Sequence, residues 1–295
     1  LALTENWTVY GDDKYDYVTV GVPLRLPYSS TTESEPTRIH VDLYGATSNT
    51  NWIIQQLTSK EIRNVYYTEP SAGVFRITIE LRHHQIWGYE IGYSPAGLVI
   101  KVRRQPEKLR IKALSIALDA GHGGENLGAL GSTGALEKEI NLAVVKEVKA
   151  ILEDRGARVI LTRDSDADVT MADRVRKVIT SGADLLISIH SNSIGLTTNP
   201  ENTRGTATFY KHICYRPLAM AILNRVLKTG LPLFGNVGSF NFSLNGPTEL
   251  PNVLVEMAFV SNPLDEMNLT DPEFRHRIAE RIVEGVDDFL DSCDE

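Results

Sequence analysis

Leu114-Ser115-Ile116-Ala117-Leu118-Asp119-Ala120-Gly121-His122-Gly123-Gly124 is the stretch on which the fold turns. A short apolar run ends on an acid, and a glycine-rich segment follows. Residues 137–155 then take helical spacing, with Ile140, Val144, Val148 and Ile151-Leu152 on one face and Gly156 where a C-cap is expected. Residues 157–162 read as strand, and Thr170 caps a helix running to about Ser181. Residues 183–190 are nearly continuously apolar (Leu185, Leu186, Ile187, Ile189), and residues 206–210 and 252–260 add further strands. A helix begins at Arg216. Asp271 opens the last one, with Phe274, Ile278, Ile282, Val286 and Leu290 four apart. This alternation predicts an α/β domain: an open, mostly parallel sheet with helices on both faces, its ligands at the carboxyl ends of the strands.

Upstream the pattern changes. In Thr37–Tyr44, Ile39, Val41 and Leu43 alternate with Arg38, His40 and Asp42. In Val74–Leu81, Phe75, Ile77, Ile79 and Leu81 share a face, and residues 98–102 are a third apolar run. Short alternating segments between Gly, Pro and Ser suggest a small all-β domain, a sandwich or barrel. Residues 21–32, rich in Pro and Ser, read as loop. All three Trp (Trp7, Trp52, Trp87) and nine of the eleven Tyr precede residue 110. Residues 1–108 hold 11 Lys and Arg against 12 Asp and Glu; residues 109–295 hold 19 against 26. We therefore expect a β-rich domain at 1–105, a linker at 106–112 and a larger domain at 113–295.

The 295 residues carry a net charge of -8, with 42% hydrophobic and 23% charged residues. That is a globular balance, not a disordered chain or a fibre. The acidic excess argues against a nucleic-acid-binding surface, and no run approaches the roughly 20 apolar residues of a membrane span. Cys214 and Cys293 make no disulfide framework, and the sequence leaves their pairing open. The chain opens Leu1-Ala2-Leu3, without an initiator Met, basic segment or apolar segment, and reads as a mature or trimmed chain whose export signal is not shown.

Three strand ends carry groups able to bind a metal or move a proton: Asp119 to Gly124, Ser188 to Asn192, and Val255-Glu256-Met257. Glu137, where a helix starts after the glycine-rich loop, is a fourth candidate. Taken singly, His122 and His190 are more often hydrogen-bonded structural residues, and Glu137 a helix-dipole residue. Glu256 differs, because it lies inside an apolar strand where an unpaired charge is costly. Two His and one Glu are a common set for catalytic zinc, and a remaining carboxylate can serve as general base. A phosphate cradle fits poorly, since neither Gly-Lys-Ser/Thr nor a proper Gly-x-Gly-x-x-Gly opens a helix.

The blocks 118–124, 134–142 (Gly-Ala-Leu-Glu-Lys-Glu-Ile-Asn-Leu), 159–164 (Val-Ile-Leu-Thr-Arg-Asp), 187–192 (Ile-Ser-Ile-His-Ser-Asn) and 253–262 come in the order seen in zinc-dependent N-acetylmuramoyl-L-alanine amidases of the amidase-3 type. Residues 114–290 resemble that family. The resemblance implies Zn2+ held by His122, Glu137 and His190, with Glu256 as catalytic carboxylate. It implies zinc-activated water cleaving the amide between N-acetylmuramic acid and L-alanine of the stem peptide in peptidoglycan. Asp119 and Asn192 would orient the ligand histidines or make local turn hydrogen bonds. Arg163 and Arg174 would meet stem-peptide carboxylates or form salt bridges in the helix layer. Ala120 stands where the family often has Pro. Residues 1–105 loosely resemble an AMIN-type wall-targeting domain, through 38–43 and 97–103.

On this reading the protein is an exported monomer, periplasmic or cell-wall associated. Its partners are peptidoglycan and, through the first domain, an envelope component. The alternatives are another zinc hydrolase of wall peptides or sugars (a carboxypeptidase or deacetylase) and a non-catalytic wall-binding protein. Some relatives carry an insert that lays a helix over the zinc. Here residues 191–204 are polar and turn-like, so we expect an open site needing no activator. A lid formed by residues 233–250, with Phe234, Phe240 and Phe242, is the alternative.

Overall fold

In Thr37–Tyr44 the alternation becomes a strand whose Ile39, Val41 and Leu43 are fully buried, while Arg38 and Asp42 on its other face pair across the sheet with Glu80 and Arg76. This strand belongs to the first of two compact units, Leu1–Pro106 and Glu107–Glu295, in a computed structural model that describes residues 1–49, 52–195 and 197–294.

The first unit is all β. A five-stranded sheet runs in the order Tyr89–Ser94, Gly97–Arg103, Tyr15–Val20, Trp7–Gly11, Ile53–Gln55. A four-stranded sheet runs Tyr28–Ser34, Thr37–Tyr44, Val74–Leu81, Ile62–Ser71. Trp7 of one sheet packs against Tyr67 and Phe75 of the other. One expectation fails: part of the 21–32 segment is strand. Tyr28–Ser34 pairs along its whole length with Thr37–Tyr44. It is an edge strand of mostly exposed Ser, Thr and Glu, so no apolar alternation announced it.

The second unit is the α/β domain. Its elements are β1 (Ser115–Ala120), α1 (Glu137–Asp154), β2 (Arg158–Leu161), α2 (Met171–Ser181), β3 (Leu185–Asn192), β4 (Thr206–Phe209), α3 (Arg216–Val226), β5 (Leu233–Val237), β6 (Asn252–Phe259), α4 (Pro263–Thr270) and α5 (Pro272–Ser292). The sheet order is β2-β1-β3-β6-β4-β5, and only the β4/β6 pair is antiparallel. Every residue of β6 is buried, as in a parallel strand covered on both faces. Ala117 and Leu186 meet Val178 of α2 on one side, while α1, α3 and α5 pack together on the other. Thr170 caps α2 by accepting from the Asp173 N–H, and Asp271 caps α5 by accepting from that of Glu273.

Residues 233–250 start at the carboxyl end of β6, where Phe234 packs edge-on against Phe259. They begin as β5. Phe240 and Phe242 then meet Phe209 edge-to-face, and Phe209 pairs with Leu254 toward the amino end of β6. Cys214 and Cys293 are both buried, and neither is in a disulfide among the described residues.

Helix α5 crosses α3 at Gly285, where an added Cβ would lie 2.5 Å from the Ile222 Cα. Gly285→Val should therefore cost roughly 1–3 kcal/mol by overpacking. Chemical denaturation checks this, and an unchanged midpoint would contradict the close crossing.

Candidate functional site

The parallel register sets Asp119 beside Ser188 and His190 beside Glu256 at the carboxyl ends of β1, β3 and β6. Glu137, the first residue of α1, reaches into the same place. No side chain caps this helix, and Glu137 directs its carboxylate at two histidines rather than at its own helix end. His122 Nε2 and His190 Nδ1 each lie 3.1 Å from Glu137 Oε1. That oxygen also accepts from Asn141 Nδ2 and the Ser191 N–H, both at 3.2 Å, while Oε2 accepts from the Ala129 N–H at 2.8 Å. One potential ligand atom from each of His122, Glu137 and His190 falls within 4.8 Å of the other two.

This donor set suits a metal. Two imidazole nitrogens and one carboxylate oxygen are the ligands of an open catalytic site. His122 Nδ1 donates to Asn126 Oδ1 at 2.9 Å, which turns Nε2 toward the cluster, where a metal would take the place of its proton. Two glycines clear the space. A Cβ on Gly121 would lie 2.2 Å from the His190 ring, and one on Gly128 would lie 2.5 Å from Glu137 Oε2. The site is open to solvent, with the His122 and His190 side chains 25% and 14% exposed. Between His190 and β4 the described residues form one short 3₁₀ turn, Pro200–Asn202, and no longer helix; Leu196 in that connection lies outside the described residues.

The charges are strongly coupled. Burial opposes ionisation of Glu137, yet hydrogen bonds from His122 and His190 hold its carboxyl well below the usual range. For His190, burial disfavours the imidazolium, but the Glu137 bond and the nearby Glu256 and Asp119 charges outweigh it and raise the pKa. Glu256 is pushed up to about 7, chiefly by burial; the positive field of His190 opposes this, Glu137 adds to it and His122 opposes it. Among the described residues, Glu256 Oε2 is buried with no hydrogen-bond partner.

The other sequence candidates take different places. Asp119 touches neither histidine. It accepts from Thr162 Oγ1 (2.6 Å), Arg174 Nη1 (2.8 Å) and Ser188 Oγ (2.7 Å), tying β1 to β3 and α2. Asn192 Oδ1 accepts from the Ser193 N–H, a local turn bond. Arg163 and Arg174 are buried rather than presented to a ligand's carboxylates, and donate mainly to backbone carbonyls. Sequence reasoning missed Asn126, Asn141 and Glu266. Asn141 stands four residues after Glu137, on the same helix face, and that spacing was the available signal. Glu266 of α4 accepts from the Thr133 N–H and Oγ1 and so anchors the loop before Glu137.

The amidase-3 family, described as N-acetylmuramoyl-L-alanine amidase, matches residues 116–288. The chain belongs to this amidase family. Its second unit is the amidase domain, and the four candidate residues fall inside the match. The probable cell wall amidase LytH of Staphylococcus saprophyticus is 34% identical over 201 residues, 68% of this chain and 66% of that protein. The catalytic domain of CwlV, an N-acetylmuramoyl-L-alanine amidase from Bacillus (Paenibacillus) polymyxa var. colistinus, is similar with a TM-score of 0.56 at 32% identity, covering 60% of this chain and 98% of that one. The CwlD amidase of Clostridioides difficile, solved in complex with the GerS lipoprotein, is similar with a TM-score of 0.56 at 27% identity, covering 61% and 99%.

Gly121→Ala tests the crowded geometry. The new methyl displaces the His190 ring, so metal affinity should fall about 10–100-fold, as for other changes to groups that orient a ligand. Equal affinity in a chelator competition would show that the ring has room to spare.

Proposed function

We propose that this amidase hydrolyses the amide joining the lactyl group of N-acetylmuramic acid to L-alanine of the peptidoglycan stem peptide. In this reading His122, Glu137 and His190 hold zinc, and Glu256 is the proton-transfer residue. The observation that carries it is the buried, unpartnered Oε2 of Glu256 on the strand beside His190. A buried carboxylate without a partner is costly, and proton transfer supplies a reason for it. Bound zinc supplies a Lewis acid for water and for the scissile carbonyl.

The chain's own groups do the rest. Asn126 keeps the His122 proton on Nδ1. Ala129 and Asn141 hold Glu137 with one oxygen turned to the histidines. Glu256 takes a proton from the attacking water while the water oxygen bonds to the carbonyl carbon. As the carbon–nitrogen bond breaks, Glu256 returns that proton to the L-alanine nitrogen. Burial raises the affinity of the Glu256 carboxyl for a proton, which suits a group that must take one and return it. The open connection after His190 supports activity without an activator. A cell-wall substrate supports export to the periplasm or wall, with the protein acting as a monomer.

The first unit, 1–105 with a linker at 106–112, is proposed as an AMIN-like targeting domain. Trp7 and Trp87 fill its β core, whereas Trp52 is 75% exposed. Its ligand would be the wall itself or an envelope component; a lipoprotein plays the partner's part for the related CwlD.

Glu256→Gln should lower turnover about 10²–10⁴-fold, the usual share of a general base, with fold and bound metal kept. Mass analysis of digested muropeptides should show stem peptides with free amino-terminal L-alanine. Wild-type rates in the variant would remove Glu256 from the mechanism, and released D-alanine or de-acetylated sugar would change the bond assigned. For the first unit, residues 1–106 alone should be retained by insoluble peptidoglycan. No retention above a control protein would leave the aromatic residues as core packing.

A further inference from the structure

The main chain at residues 122–124 is irregular. His122 has φ +64°, one of only two non-glycine residues with positive φ among the described residues, and Gly123 and Gly124 also have positive φ. A side chain tolerates this region only where surroundings enforce it. Such a turn also breaks the sheet's hydrogen bonding, so the carbonyls of residues 120–122 need other donors.

Two buried arginines supply them. Arg163, from the segment after β2, donates to Ala120 O (2.9 Å), Gly121 O (3.1 Å) and Lys138 O (2.8 Å). Arg174, on α2, donates through Nη1 to Ala120 O (2.7 Å), through Nη2 to His122 O (2.5 Å) and through Nε to Val169 O (3.0 Å). Its Nη1 also pairs with Asp119, which is itself fixed by Thr162 and Ser188. The planar guanidinium thus has donors in three directions, and its position is set by a carboxylate rooted in the sheet.

We propose that Arg174, anchored on Asp119, is a positioning residue that holds the His122 main chain in its left-handed turn and thereby aims the His122 imidazole at the metal. This rests on the metal-binding role of His122 given above. A lysine at this position keeps a charge beside Asp119 but lacks the rigid fork needed to hold the His122, Ala120 and Val169 carbonyls together.

The test is zinc affinity of the full chain, measured by competition with a chromophoric chelator, alongside circular dichroism of the metal-free protein. Arg174→Lys should remain folded and bind zinc about 10–100-fold more weakly. Asp119→Asn, which preserves shape but removes the anchor's charge, should weaken binding in the same direction and serves if Arg174→Lys does not fold. The decisive comparison is His122→Ala with and without Arg174→Lys. Because Arg174 acts through His122, the second change should alter the remaining affinity by less than about twofold. Full zinc affinity in folded Arg174→Lys, or an undiminished loss on the His122→Ala background, would overturn the positioning role while leaving the metal site intact. Wild-type affinity in His122→Ala alone would instead overturn the metal assignment, and the positioning role with it.

Discussion

One carboxylate oxygen organises this protein's chemistry. Glu137 Oε1 draws together two imidazoles, a side-chain amide and a backbone N–H from segments far apart in sequence. A largely buried anion needs such company, because desolvation alone would favour its protonation. The surrounding structure accommodates this arrangement. Gly121 and Gly128 clear its approach. Asn141 links Glu137 to the Gly121 carbonyl and to Ser191, and Glu266 fastens the loop that precedes it. The result is a cluster of oppositely charged and polar groups that a divalent cation can enter without rearranging its frame.

The parallel sheet makes that frame possible. Adjacent strands pointing the same way deliver residues 119, 190 and 256 to one edge, although the chain travels through helices and loops between them. Asp119 sits under this edge and binds its neighbours rather than a ligand. It acts as a peg for Arg174, and Arg163 and Arg174 together replace the sheet hydrogen bonds lost where the chain turns away after β1. Catalytic geometry and strand-end packing are therefore a single problem here.

Much of this was legible from residue order. The apolar runs singled out from sequence lie within two residues of observed strands, although Trp7–Gly11, Tyr15–Val20, Ile62–Ser71 and Tyr89–Ser94 of the first unit went unmarked; Thr170 and Asp271 marked helix starts, and Glu256 stood out because an acid inside Val-Leu-Val-Glu-Met-Ala-Phe needs a reason. Other features were hidden for physical reasons. The strand Tyr28–Ser34 is polar on both faces, so no period reveals it. Helix α4 and strand β5 are short and lack strong periodicity. From sequence the arginines fit either a ligand's carboxylates or a salt bridge in the helix layer, because a long cationic side chain carries no sign of its direction; the three-dimensional need of the 120–122 carbonyls turns them inward. Asn141 carries only the weak signal of standing four residues after Glu137, since its other partners come from separate segments of the chain.

The central claim is that His122, Glu137 and His190 form one metal site. X-ray absorption at the zinc edge, on protein loaded with a single equivalent, tests it most directly. The account predicts a first shell of nitrogen and oxygen only, at about 2.0–2.2 Å, with the signature of two imidazoles, lost when His122 and His190 are both replaced by alanine. Sulfur in the first shell, or an unchanged spectrum in that double variant, would place the metal elsewhere and contradict the account.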